Sequence, residues 1–160
     1  MKRTMQLLSV LAWIFAGCLS VSAAERVLLH TNEDGFAVDG FDPVAFFEEA
    51  EPVKGKGQYR LVYKGALYLF ISQENLRKFR ENPDKYEPKF GGYCPVSLAQ
   101  DRLVPGKAQN FKVVDGELYL MHDSEAARDF RQKQVAMADK FWKQQVKKNG
   151  LIYLPEQPGN

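Results

Sequence analysis

The sequence predicts an α+β fold: a small single domain of two β-hairpin-plus-helix units, an internal pseudo-repeat, preceded by a short N-terminal helix. Three observations carry that prediction. One pattern occurs twice along the chain. Each copy reads as strand, tight turn, strand and helix start. The composition is that of an ordinary globular protein: of 160 residues, 45% are hydrophobic and 26% charged, which argues against disorder, collagen or coiled coil.

The repeat pairs residues 62–79, VYKGALYLFISQENLRKF, with residues 113–130, VVDGELYLMHDSEAARDF. Val62 and Val113, Gly65 and Gly116, Leu67 and Leu118, Tyr68 and Tyr119, Leu69 and Leu120, Glu74 and Glu125, Arg77 and Arg128, and Phe79 and Phe130 are identical pairs. Two copies are too few for a solenoid, so they point to two similar units packed in one core.

Ahead of the repeat, Val27-Leu28-Leu29 is strand-like. Asp39-Gly40 forms a turn, Asp42 caps a short helix that starts at Pro43, and Val44, Phe46 and Phe47 offer apolar contacts. In the first unit, Tyr59 to Tyr63 is a strand carried by Tyr59, Leu61, Val62 and Tyr63, Lys64-Gly65 the turn, and Leu67 to Ile71 the return strand. Ser72 caps the helix that follows, Glu74 lies in its first turn, and Leu76 and Phe79 share a face. Asn82-Pro83 ends that helix, and Pro83 opens a new turn that reaches Tyr86.

In the second unit, Asp115-Gly116 is a strong two-residue hairpin signal. Asp123 or Ser124 caps the next helix, with Glu125 in its first turn. Ala127, Phe130, Ala138, Phe141 and Trp142 mark a buried side of one helix that runs to about Asn149 and stops at Gly150.

The chain ends read differently. Residues 1–24, MKRTMQLLSVLAWIFAGCLSVSAA, have a basic start, an apolar run and small residues before the cut, the pattern of a secretory signal peptide. The run is short for a membrane span. Phe15-Ala16-Gly17-Cys18 is a minority alternative, a lipobox that would lipidate Cys18 and tether the protein to a membrane. The working domain is expected over 25–155, with a flexible tail over 156–160, in the periplasm or outside the cell. Removing Lys2 and Arg3 leaves 20 basic and 20 acidic residues, so nucleic acid is not an expected partner. It also leaves Cys94 as the single cysteine, in an oxidising compartment where thiols normally pair.

Three stretches resemble the secreted branch of the YHS-domain family: residues 37–70, AVDGFDPVAFFEEAEPVKGKGQYRLVYKGALYLF; residues 82–95, NPDKYEPKFGGYCP; and residues 113–120, VVDGELYL. ADKFW at residues 138–142 is a weaker fourth, and the resemblance covers 36–142 in the right order. It implies a small α+β domain and a metal-binding module. The Tyr-His-Ser triplet that names the family is absent; Tyr93-Cys94-Pro95 stands in the loop, so the name motif supplies no histidine ligand.

The candidate metal ligands are Cys94, His122 and Met121. Gly91-Gly92 before Cys94 permits close backbone approach or positive φ, and a Cys/His/Met set suits copper or another soft transition metal. One cysteine and two histidines cannot close a Cys₄ or Cys₂His₂ zinc site, so any site is open, completed by carboxylates or shared between chains. The alternatives are a thiol-dependent redox protein using Cys94, which lacks the partner of a Cys-x-x-Cys pair, and a protein-interaction domain in which Cys94 is inert. His30 is a weaker ligand candidate. Asp39 and Asp42 read as turn and cap rather than paired acid–base carboxylates. Glu48, Glu49 and Glu51 read as a solvated helix end, Tyr63, Tyr68, Tyr93 and Tyr119 as core and strand pairing, and Arg77 and Arg128 as salt-bridge residues. No Ser/His/Asp order, P-loop or His-Glu-x-x-His is visible, so a binding module for a metal ion or small ligand is expected ahead of an enzyme.

Overall fold

The structure, a computed structural model, describes residues 25–153. The expected signal peptide, Cys18 and the tail over 156–160 lie outside the described residues.

Among the described residues, the architecture is α+β, with three separate two-stranded antiparallel ribbons and helices between them. Strand β1 (Glu25–Val27) pairs with β6 (Leu151–Tyr153), β2 (Lys56–Tyr63) with β3 (Ala66–Phe70), and β4 (Phe111–Val114) with β5 (Glu117–Leu120). The helices are α1 (Ala45–Glu48), α2 (Gln73–Glu81), α3 (Pro83–Tyr86), α4 (Pro95–Leu98), α5 (Ser124–Asp129) and α6 (Gln132–Asn149). The β1–β6 ribbon ties the two ends of the described chain together. Its C-terminal strand was not expected, because Leu151–Tyr153 is too short for a periodic signal and needs β1 as its partner.

Both hairpin turns follow the predicted chemistry. Lys64 and Gly65 have φ of 49° and 80°, and Asp115 and Gly116 have 54° and 76°, the two successive positive values of a tight hairpin whose twist suits the strands. The Ser72 hydroxyl accepts from the Asn75 N–H at 3.1 Å, and the Asp123 carboxylate accepts from the Ala126 N–H at 2.7 Å. Asp123 is therefore the cap of the second unit. Asn82-Pro83 separates α2 from α3 as expected.

Two expectations need correction. The second unit's helix is not continuous: Phe130 and Arg131 leave helical geometry between α5 and α6. Phe130 packs into the second core cluster, and the Arg131 side chain donates to the Arg128 and Phe130 carbonyls at the break. The long helix still ends at Asn149, with Gly150 closing it. Asp42 is also more than a helix cap. Helix α1 starts at Ala45, two residues past Pro43, and the Asp42 carboxylate reaches across the fold.

Among the described residues, the core has two clusters, and the first also takes in Leu118 and Leu120 from β5 of the second unit. Phe46, Tyr68, Phe70 and Phe79 are wholly buried in the first, and Cys94, Leu98, Tyr119, Met121 and Ala138 in the second. Full burial of the Phe, Leu and Met side chains among them contributes about 1.5–3 kcal/mol each. The aromatic pairs Tyr68–Phe79 and Tyr119–Phe130, with ring centroids 4.8 and 5.1 Å apart, occupy equivalent positions in the two units. Arg77 and Arg128 do not form equivalent ion pairs: Arg77 meets Glu81 one turn on at 2.8 Å, whereas Arg128 meets adjacent Asp129 at 3.6 Å.

The duplication extends further back than the sequence repeat. Before each hairpin, the chain makes a 3-10 turn through three residues of positive φ: Val38, Asp39 and Gly40 at 53°, 53° and 76°, and Phe90, Gly91 and Gly92 at 55°, 57° and 84°. The Phe41 N–H donates to Val38 and the Tyr93 N–H to Phe90. Next, the Asp42 N–H donates to the Val53 carbonyl and the Cys94 N–H to the Val104 carbonyl, both at 2.9 Å. Gly55 returns a bond to Gly40, and Gly106 one to Gly92. Asp42-Pro43-Val44 and Cys94-Pro95-Val96 thus occupy the same place in the two units.

Candidate functional site

The equivalence of Asp42 and Cys94 defines the site by contrast. In the first unit, the wholly buried Asp42 carboxylate accepts three hydrogen bonds. Val44 N–H donates to Oδ1 at 2.8 Å; Ile71 N–H and Asn75 Nδ2 donate to Oδ2, each at 2.8 Å. They fix α1 against the junction of β3 and α2, where a buried carboxylate must be satisfied.

The second unit fills the same places with different chemistry. Cys94 replaces Asp42, His122 replaces Ile71 and Ala126 replaces Asn75. Where a backbone N–H reached the carboxylate, a side chain now reaches the sulfur: His122 Nδ1 lies 3.2 Å from Cys94 Sγ. Ser97, buried on α4, places its Oγ 3.3 Å from the same nitrogen. On the far side of the ring, His122 Nε2 lies 3.0 Å from Asp123 Oδ2. The other oxygen of Asp123 holds the α5 cap.

The partners select the tautomer. A carboxylate only accepts, so Nε2 carries the proton and donates to Asp123. In the neutral ring, the Nδ1 lone pair then faces the Cys94 thiol and the Ser97 hydroxyl. This is the arrangement in which a carboxylate orients an imidazole whose free nitrogen is offered as a metal ligand. Cys94 is wholly buried, whereas the His122 side chain is 28% exposed, so solvent meets the ring rather than the sulfur.

The sequence candidates separate in space. Cys94 and His122 meet directly. Met121 is wholly buried in the same apolar cluster as Cys94. His30 packs edge-on against Tyr93, with ring centroids 5.7 Å apart. Burial lowers its pKa from 6.5, with Asp39 opposing the shift. Its backbone N–H donates to the Gly91 carbonyl at 2.8 Å, so the Gly-Gly turn touches the N-terminal segment. Tyr68 and Tyr119 are core residues, while Tyr63 and Tyr93 are half-buried against other rings.

Ser97 and the orienting role of Asp123 were missed. The equivalence of Cys94 with Asp42 was missed too, although its signal was present in Gly92-Tyr93-Cys94-Pro95-Val96 against Gly40-Phe41-Asp42-Pro43-Val44. That alignment is one residue out of step with the hairpin repeat, which hid it.

By donor type, a thiol and an imidazole suit a soft ion. Among the described residues, no cluster of three or more His, Cys, Asp or Glu side chains is arranged to hold a metal. Asp123 is committed to the opposite ring nitrogen, which leaves Cys94 Sγ and His122 Nδ1 as the converging pair. Their 3.2 Å separation is well short of the roughly 4.3 Å that a linear sulfur–metal–nitrogen arrangement needs. Among the described residues, one cysteine and two histidines do not make up a Cys₄ or Cys₂His₂ zinc set.

The family model described as the YHS domain matches residues 45–89. No curated protein and no solved structure matches the chain. The matched segment runs from α1 to the start of the second 3-10 turn. It contains the first unit's hairpin and helix and stops before Cys94 and His122. The YHS domain is associated with metal binding. Over this segment, the chain is similar to the YHS domain.

Proposed function

We propose that the protein is a secreted or periplasmic YHS-type module that binds a soft transition-metal ion, copper above all, with Cys94 and His122 as ligands. The single observation that supports this reading is the 3.2 Å approach of His122 Nδ1 to Cys94 Sγ, at the position where the first unit holds a satisfied carboxylate. Met121 is the third candidate donor from the same cluster, and water or a small ligand completes the shell through the exposed side of His122. Asp123 orients the ring, and Ser97 donates to the ligand nitrogen until the ion takes its lone pair. Bound metal displaces the thiol proton, so uptake releases acid.

The test titrates Cu(I) and Zn²⁺ into the purified protein and into Cys94→Ser, His122→Ala and Asp123→Asn. One equivalent of Cu(I) is expected in the parent protein, with uptake lost in Cys94→Ser. Asp123→Asn should bind about ten-fold more weakly or less tightly still. Equal uptake by the parent protein and Cys94→Ser removes Cys94 from the site.

A thiol-based reading has its own support, because Cys94, His122 and Asp123 follow the order of nucleophile, base and orienting group. It predicts that metal-free protein reacts with a small alkylating agent faster than His122→Ala does. Equal rates remove it.

A further inference from the structure

A well-formed cavity lies away from Cys94 and His122. It has a volume of about 770 Å³ and lies between the segment Arg26 to Leu29, the turn from Glu87 to Gly91, and one face of α6. Neither Cys94, His122 nor Met121 lines it. On α6 its lining residues are Asp139, Trp142, Lys143, Val146 and Lys147, a helical stripe that puts one long face toward the cavity. Val146, Trp142 and Phe90 give it an apolar floor, with the Phe90 and Trp142 rings 6.0 Å apart.

The charge around that floor is uneven. The lining contains five cationic side chains and three acidic ones, so cations prevail. Lys64 is paired with Glu87 at 2.8 Å, Lys143 with Asp139, and Lys89 with Glu117 at 3.0 Å. Arg26 and Lys147 have no carboxylate partner among the described residues. Arg26 donates instead to the Gly150 carbonyl at 2.9 Å, which places it at the same end of α6 as Lys147. The cavity therefore has a cationic end and an apolar trough leading from it, and its size is that of a small-molecule pocket.

We propose that this cavity binds a small amphipathic carboxylate, with its headgroup at Arg26 and Lys147 and its apolar body along Val146, Trp142 and Phe90. The proposal is independent of the metal reading, since the two sites share no lining side chain.

Dodecanoate is the probe, titrated into the purified protein below its micelle concentration. Binding is followed by calorimetry and by fluorescence of Trp142, one of two tryptophans in the chain. Saturable one-to-one binding is expected. Dodecyltrimethylammonium should bind about ten-fold more weakly or worse, because it brings the wrong charge to the cationic end. Lys147 is exposed, so Lys147→Glu keeps the fold, checked by circular dichroism, and should weaken dodecanoate about five-fold. Arg26→Gln should weaken it in the same direction. Cys94→Ser should leave it unchanged, which separates this test from the metal test. Equal binding of the cationic amphiphile, non-saturating uptake, or no effect of both charge variants would overturn the proposal. So would Trp142 emission that follows protein concentration and ignores dodecanoate, which would make the groove an interface between copies.

Discussion

Replacing Asp42 by alanine removes the acceptor of three hydrogen bonds in a place that water does not reach. Val44 N–H, Ile71 N–H and Asn75 Nδ2 each lie 2.8 Å from the carboxylate, and Asp42 is wholly buried. An unsatisfied buried donor costs about 1–3 kcal/mol, and bonds to a charged acceptor are at the strong end. Relaxation around the alanine recovers part of the sum, so the expected loss is about 3–5 kcal/mol. For a domain of this size, that lowers the melting temperature by roughly 10–20 °C. Asp42→Asn is expected to fall between the two: its single carbonyl oxygen can serve Ile71 and Asn75, but its amide then opposes the Val44 N–H. The assay is urea unfolding of parent and variant proteins, followed in parallel by far-ultraviolet circular dichroism and tryptophan emission. A loss below about 1 kcal/mol for Asp42→Ala would refute the reasoning, because it would mean that the three donors find other partners or water. The carboxylate would then not be what holds α1 to the β3–α2 junction.

Three further outcomes are expected. Gly91→Ala should cost about 2–4 kcal/mol, since Gly91 has φ of 57° and an added Cβ would run into the Leu28 carbonyl; loss of amide-exchange protection at the His30 N–H, which donates to Gly91, is the local readout. Tyr68→Phe should be neutral or stabilising by up to about 1 kcal/mol, because the Tyr68 hydroxyl is buried with no hydrogen-bond partner among the described residues; thermal unfolding reads it. His30→Gln should flatten the fall in stability on acidification. Burial lowers the His30 pKa from 6.5 in the folded protein, so the unfolded chain binds its proton more tightly. His30's contribution is therefore full above the unfolded pKa and is lost as pH falls through the folded value. Urea midpoints at about pH 7.5 and 5.5 measure the difference.

Much of the local structure was legible because its causes are local. The hairpin turns at Lys64-Gly65 and Asp115-Gly116, the Ser72 and Asp123 caps and the Asn82-Pro83 break depend on residues within a few positions of one another. The break at Phe130-Arg131 was not legible. Helical periodicity continues through it, and the decision rests on Phe130 entering the second core cluster. Strand β6 was hidden for a related reason: three residues become a strand only when β1, from the other end of the chain, lies beside them.

The candidate site divides the same way. The sequence by itself determined that one thiol would remain in the expected mature chain, that a glycine pair precedes it, and that a histidine follows the second hairpin. Those are facts of residue identity and spacing. Only the tertiary structure decided that Cys94 and His122 touch, that Asp123 takes the other ring nitrogen, and that Cys94 occupies the place held by Asp42 in the first unit. Those relations depend on how α4 and the end of β5 pack across the fold, and spacing along the chain does not encode it. The duplicated fold offers two equivalent places. The first is filled by a carboxylate whose three bonds stabilise the fold, and the second by a thiol and an imidazole that can be offered to a ligand.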